Sequence, residues 1–101
     1  MERLQVQASR KYRYLTCHRF QVFKAHKEFE ESLILSVINN SGSISFTFTD
    51  LSNNEVISFD NPKSGDYVIP LKKGIKTRLV IAASKAIGSY KIIKKTIIDK
   101  P

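Results

Sequence analysis

The chain has 101 residues with one cysteine and no tryptophan, and its formal net charge at pH 7 is +8. This length fits a single domain that buries its own core, and Cys17 has no second cysteine in the chain with which to form an internal disulfide. No stretch is apolar enough for a transmembrane helix or a signal-peptide core, so the sequence as given predicts neither segment. The compartment stays open, with an exported or cell-surface location as the alternative if the N-terminus is truncated.

The positive charge is concentrated at the two ends of the chain. Residues 1–27 contain seven Lys and Arg against Glu2, whereas residues 28–71 contain Lys63 against seven acids. Residues 72–101 contain nine Lys and Arg against Asp99. If the first and last strands are neighbours, the two basic segments form one positive face. The alternative is that these cations only keep outward strand positions hydrated.

Two patterns compete at the start of the chain. Leu4, Ala8, Tyr12 and Leu15 share a helical face, whereas a strand parity is shared by Tyr12, Tyr14, Phe20 and Val22. We therefore predict a loosely ordered or helical basic segment over residues 1–11, followed by a single β domain over residues 12–101. Alternating apolar residues indicate the first strand from about Tyr12 to Phe23. A second strand is expected over residues 29–38.

The strongest pattern in the chain lies between Leu33 and Asp50. Ile44, Phe46 and Phe48 alternate with Ser and Thr, which is the period of a half-buried strand. Residues 39–42, Asn-Asn-Ser-Gly, are of the types that close tight turns. The stretch therefore predicts a hairpin with one apolar side. Three later side chains are expected to pack on that side: Tyr67, Leu79 and Ile81.

The remaining elements are short and separated by turn signals. Strands are expected over residues 56–59, 67–71, 75–83 and 90–98, with a loop at Asp60–Gly65 and a turn over residues 84–89. Pro70 indicates that its strand lies at a sheet edge or ends at Pro70, because proline cannot donate to a neighbouring strand. Seven strands without a convincing helix predict an all-β fold, an antiparallel two-sheet β-sandwich of the immunoglobulin-like or jelly-roll kind. A small closed β-barrel is the alternative.

Catalytic and metal-binding patterns are absent from the sequence. Cys17 and His18 point to opposite faces if they lie on a strand, so they can neither pair nor share a metal. The segment from Asp60 to Asp66 has oxygen donors but lacks the ligand spacing of a calcium loop and carries Lys63 at its middle. No nucleophile elbow or phosphate-binding glycine loop occurs. We predict a chain that is not an enzyme and that uses no cofactor or metal.

The binding candidates are the Asp60–Gly65 loop and a basic face. The face is predicted from outward positions on the later strands: Lys72, Lys73, Lys76, Arg78, Lys91, Lys94 and Lys95. The leading expectation is a non-catalytic binding or structural module, with a protein or an anionic polymer as its partner and an undetermined oligomeric state. The alternative is nucleic-acid or other polyanion binding through the N- and C-terminal strands, since cations and aromatic residues alternate over residues 10–14.

Three segments carry a resemblance to a known kind of domain. They are residues 40–46 (Asn-Ser-Gly-Ser-Ile-Ser-Phe), residues 65–74 (Gly-Asp-Tyr-Val-Ile-Pro-Leu-Lys-Lys-Gly) and residues 86–92 (Ala-Ile-Gly-Ser-Tyr-Lys-Ile). They resemble small bacterial β-sandwich domains of unknown function, of the type found in exported or lipoprotein-anchored proteins. The resemblance implies a sandwich fold and an exported setting, and it implies no ligand.

Overall fold

The computed structural model describes residues 1–98, which form one antiparallel sheet. Its strands are β1 (Glu2–Lys24), β2 (Glu30–Asp50), β3 (Val56–Asp60), β4 (Gly65–Leu71) and β5 (Lys76–Ile97). The strand order is β1-β5-β2-β3, and β4 also pairs with β2. Within the described residues the sheet is not closed and no helix is present. The prediction of an all-β antiparallel fold is confirmed. The described residues do not form the closed β-barrel that was the alternative.

The predicted count of seven strands is wrong, because two long strands had each been divided in two. Residues 39–42, expected to close a hairpin, lie inside β2, and residues 84–89, expected to form a turn, lie inside β5. The chain bends at both places without reversing. β2 remains paired with β5 on both sides of the bend, and the pairing register shifts between Asn39 and Ser43. Turn-forming residue types therefore make a corner here rather than a hairpin.

The prediction of a loose or helical start is also corrected. Residues 2–11 belong to β1 and pair with the last part of β5, from Glu2 opposite Ile97 to Lys11 opposite Ser89. The strand was hard to predict because Leu4 and Val6 face outward and are exposed, and Ala8 alone among the apolar residues of this segment packs against the core. Pairing with β5 supplies the backbone hydrogen bonds that decide between helix and strand.

The corners of the three long strands lie along one line across the sheet. Positive φ angles occur there at Tyr14 (54°), Gly42 (75°) and Lys85 (51°). We name the two parts of the sheet after their short strands. The β4 half contains residues 2–12, 30–39, 65–71 and 88–97. The β3 half contains residues 15–24, 43–50, 56–60 and 76–86.

The two halves meet through their apolar faces. Phe46 lies opposite Ile81, and Ile81 would be about 30 Å from Tyr90 along an unbent β5. The rings of Phe46 and Tyr90 nevertheless have centroids only 5.6 Å apart. Phe59 of β3 and Tyr67 of β4 meet in the same way, at 4.9 Å. The chain therefore bends at the line of corners so that aromatic side chains of the two halves come into contact.

The core contains the residues that the sequence placed there. As predicted, Phe46 lies opposite Ile81 and Phe48 lies opposite Leu79, whereas Tyr67 contacts Phe59. The face of each half that carries these buried residues is called the inner face below, and the other is the outer face. The largest fully buried side chains are Phe46, Phe48, Leu33, Leu35, Ile44, Ile69, Leu79 and Ile92.

The edge opposite β1 is shared by two short strands, β3 beside one half of β2 and β4 beside the other. Pro70 lies in β4 opposite Ser32 of β2. Within residues 1–98, β4 pairs with β2 alone, so the predicted edge position of Pro70 is confirmed.

Candidate binding surface on the β1–β5 side

The two basic ends of the chain become neighbouring strands. β1 and β5 are antiparallel and paired along nearly their whole length. β1 carries six Lys and Arg against Glu2, and β5 carries six and no acid. β2, β3 and β4 together carry five acids and no Lys or Arg. The sheet is therefore basic at its β1 edge and acidic toward the β3 and β4 edge.

The seven residues predicted to form one basic face are distributed over four places. Lys91 and Lys95 lie on the outer face of the β4 half, opposite Ser9 and Leu4 of β1. Lys76 and Arg78 lie on the outer face of the β3 half, opposite Lys24 and Val22. Lys72 and Lys73 lie in the turn between β4 and β5, and Lys94 lies on the inner face. The structure thus places these seven residues as three pairs and the separate Lys94, and not on one face.

Lys94 was predicted to point outward, and this is wrong. It shares the inner face with Ile92, and its side chain is largely buried near the end of the core. Its Nζ lies 3.7 Å from Glu31 Oε1 and donates to the Lys24 carbonyl oxygen at 2.9 Å. A largely buried ammonium group needs such partners, so Lys94 lies at the end of the core and is not part of an outer basic face.

Glu31 is the acid that Lys94 accompanies, and it is buried and well satisfied. Its carboxylate accepts from the His26 backbone N–H at 2.6 Å and from Thr96 Oγ1 at 2.5 Å. Burial alone would raise the pKa of Glu31, but these two hydrogen bonds and the Lys94 charge outweigh it and lower the pKa below its ordinary value. The cluster lines an open cavity of about 540 Å³ at the end of the fold.

His26 borders the same cavity but is occupied by its own loop. Its Nδ1 accepts from the backbone N–H groups of Glu28 at 3.0 Å and Phe29 at 3.3 Å, and its ring stacks on Phe29. The Glu31 carboxylate and His26 Nδ1 are thus both engaged in local hydrogen bonds at this cavity.

Two other predicted cations have acidic neighbours. Lys72 Nζ lies 3.4 Å from Asp50 and 3.9 Å from Glu55, and Lys95 Nζ lies 3.0 Å from Glu2. Hydrogen bonds from Ser52, followed by the nearby Lys72, lower the pKa of Asp50. These pairs tie Lys72 to the acidic end of the sheet, away from β1.

The Asp60–Gly65 loop, the other predicted surface, connects β3 and β4 on the acidic edge and is held in place. Asn39 Nδ2 donates to Asn61 Oδ1 at 3.0 Å and to the Pro62 carbonyl at 2.8 Å. The Asn39 backbone N–H donates to Ser64 Oγ, and the Tyr67 hydroxyl donates to the Lys63 carbonyl at 2.6 Å. The loop is therefore a well-braced connection on the far side from the basic strands.

Cys17 and His18 lie on β1 on opposite faces, opposite Ala83 and Ala82. Cys17 is a free thiol. In residues 1–98 no three His, Cys, Asp or Glu side chains are grouped so that they could hold a metal ion.

The free edge of β1 carries a side-chain pattern that the sequence prediction missed. Residues 3–6, Arg-Leu-Gln-Val, and residues 19–22, Arg-Phe-Gln-Val, share one arrangement in the two halves. In both, Arg and Gln lie on the inner face and the apolar pair lies on the outer face. Leu4, Val6, Phe20 and Val22 are 61%, 58%, 73% and 46% exposed. The repeated spacing Arg-x-Gln-Val is visible in the sequence alone.

The inner face along β1 opens into a cleft between the halves. Arg10 and Arg19 line it from opposite halves, with Ile81 and Tyr90 of β5 beside them, and its volume is about 220 Å³. Tyr12 lies nearby, with its ring centroid 6.1 Å from that of Tyr90. Burial is the main cause that raises the pKa of Tyr12, and Tyr90 and Cys17 add to it. The cleft is thus a cationic slot over an aromatic and aliphatic floor.

The comparisons with known proteins identify no family for this chain. No protein-family model matches the chain, and no curated protein matches it. It is similar to a solved structure from Bacillus endospore appendages, described as disulfide-linked pili, at 12% identity and TM-score 0.47, over 98% of this chain and 88% of that one. It is also similar to the P-domain of Macrobrachium rosenbergii nodavirus, at 15% identity and TM-score 0.40, over 98% and 94%. Residues 1–98 include no helix with the length and apolar character needed to cross a membrane.

Proposed function

We propose that this protein is a non-catalytic binding module whose β1–β5 side takes up an extended anionic polymer. The observation that carries the proposal is the pairing of β1 with β5, which places twelve Lys and Arg on adjacent strands beside the single acid Glu2. Such a concentration of one charge attracts polyanions and releases their counterions on binding. The internally satisfied Glu31 and His26 support a role without catalysis.

We infer that the folded sheet serves as a two-layer β-sandwich of the immunoglobulin-like or jelly-roll kind. The contacts of Phe46 with Tyr90 and of Phe59 with Tyr67 across the fold support two layers packed face to face. In that arrangement the β1 edge and its cleft form one long side of the module.

The test compares two variants with the same loss of charge. The first replaces Arg10, Lys11 and Arg13 with Gln, which removes cations from β1. The control replaces Lys63, Lys72 and Lys73 with Gln, which removes three cations from the loop and turn near the acidic edge. Binding of heparin and of a thymidine oligonucleotide is measured over a range of salt concentrations.

The proposal expects the β1 variant to lose most of its affinity and the control to lose little. For single-stranded DNA, the slope of log affinity against log salt should fall by about 2 in the β1 variant, because each lost phosphate contact removes about 0.7. Equal losses in both variants would mean that total charge and not the β1 side governs retention. Absence of binding by the parent protein at low salt would overturn the proposal.

A further inference from the structure

The backbone edge of β1 is unpaired on the side away from β5. Within residues 1–98, β1 has β5 as its neighbour on one side and no strand on the other. β1 spans 23 residues and contains no proline. A long edge of this kind presents a row of N–H and C=O groups that can pair with another extended chain.

The charge of the edge determines what can pair with it. Two β1 strands placed side by side would bring Arg and Lys of both chains together, and like charges across a strand pair are unfavourable. Arg3, Arg10 and Arg19 all lie on the inner face, and Arg10 and Arg19 line the cleft from opposite halves. The edge therefore disfavours a second β1 strand and favours an acidic one.

The outer face sets the second requirement. Val6 ends an aliphatic row that crosses the β4 half from Val68 through Ile34 and Ile93, since these residues lie opposite one another on successive strands. In the β3 half, Phe20 lies beside Val80 in the same manner. An added strand with an aliphatic side chain on the outer face would continue the row and cover exposed apolar surface.

We propose that β1 accepts an added strand from an acidic polypeptide in which Asp or Glu alternates with aliphatic residues. Alternate side chains of a strand point to opposite faces, so one register places every carboxylate on the inner face near the arginines and every aliphatic residue on the outer face. The Arg-x-Gln-Val segment in each half provides the same docking pattern. This proposal rests on the anionic-polymer function and names the polymer as a polypeptide.

The probe is a labelled peptide of four Val-Glu repeats, and binding is measured by fluorescence anisotropy. Its main control is the same peptide with N-methyl groups on four consecutive residues, which keeps the charges and side chains and removes donors from both edges. Strand addition predicts that the unmodified peptide binds at least tenfold more tightly than the methylated one. It also predicts slower hydrogen exchange of amides within residues 2–24 when the peptide is bound.

A charge reversal then tests the register. The variant Arg3→Glu with Arg19→Glu should no longer bind the Val-Glu peptide and should instead bind a peptide of four Val-Lys repeats. The matched control, Lys63→Glu with Lys73→Glu, makes the same charge change at exposed positions in the β3–β4 loop and the β4–β5 turn, away from β1. It should weaken Val-Glu binding only slightly and gain no preference for Val-Lys.

The outcomes separate this proposal from the proposed function. Equal affinity for the methylated and unmodified peptides, with heparin still bound, overturns strand addition and leaves polyanion binding in place. Failure of every anionic probe overturns both. Self-association that protects β1 amides without any peptide would identify a second copy as the occupant and would also overturn the acidic partner.

Discussion

The corner of β2 offers a quantitative test of how closely the strands approach one another. Gly42 has φ of +75°, and a Cβ atom added there would lie 2.0 Å from the Lys85 carbonyl oxygen and 2.7 Å from Ala86 Cα. Gly74, in the turn before β5, has nearly the same φ of +72°, but its added Cβ would be 3.7 Å from the nearest atom, Lys27 Cγ. Replacing each glycine with alanine therefore separates backbone strain from steric conflict.

Both variants carry the cost of a positive φ, which is about 1–2 kcal/mol for a residue with a Cβ. Gly74→Ala should lose about that much. Gly42→Ala must in addition displace the backbone of β5, and overpacking of this kind adds about 1–3 kcal/mol, so a total loss of about 2–5 kcal/mol is expected.

The free energy of unfolding is measured by urea titration with far-UV circular dichroism. A domain of this size has about 5–15 kcal/mol in total, so Gly42→Ala should lower the urea midpoint sharply and Gly74→Ala modestly. Equal losses in the two variants would refute the close approach of β2 and β5 at the corner.

Three further predictions concern the core and its polar ends. Phe46→Ala should lower the free energy of unfolding by about 3–5 kcal/mol in the same titration, because Phe46 is fully buried; a loss below about 1 kcal/mol would contradict the placement of the core. Tyr12→Phe should leave stability unchanged or raise it by up to about 1 kcal/mol, because the buried Tyr12 hydroxyl has no hydrogen-bond partner in the described chain; a clear loss would indicate a partner for the hydroxyl. Glu31→Gln should cost about 1–2 kcal/mol at pH 7, measured by thermal and urea unfolding across pH. Folding lowers the pKa of Glu31, so its contribution is complete above the ordinary carboxyl pKa and is lost as pH falls through the lowered value. The parent and the variant should therefore converge in stability at acid pH, below that lowered pKa, and a difference independent of pH would count against this role.

The sequence predicted most successfully where one face of a strand is buried. Ile44, Phe46 and Phe48 alternate with polar residues because the core touches only one side of β2 there, and burial enforces the period. The corners could not be predicted in the same way. Residues 39–42 and 84–89 tolerate positive φ in a hairpin and in a bend alike, and the choice depends on pairing between β2 and β5, which are far apart in sequence.

The positive charge of the candidate surface could be predicted from the sequence, but the arrangement of its residues could not. Counting Lys and Arg along the sequence shows that both ends of the chain are basic. The two basic ends become neighbours because β1 pairs with β5. Lys94 was misplaced although it shares its parity with Tyr90 and Ile92, because a lysine among charged neighbours was assumed to be outward. The burial of Glu31 opposite Thr96 supplies the partner that makes an inward lysine tolerable.

Two segments of the edge strand β1, residues 3–6 and 19–22, depart from the usual rule that apolar residues face inward, and this departure has an energetic consequence. Leu4, Val6, Phe20 and Val22 lie outward and exposed, whereas Arg and Gln occupy the inner face. Full burial of such an apolar side chain contributes about 1.5–3 kcal/mol, so even partial cover of four of them offers several kcal/mol toward the cost of ordering a partner strand. The inner arginines contribute little to this gain while they remain hydrated, but they exclude cationic strands and favour acidic ones. Burial of the apolar side chains thus accounts for the affinity of the added strand, and the arginine charges account for its selectivity. The peptide that tests strand addition must therefore combine aliphatic and acidic residues.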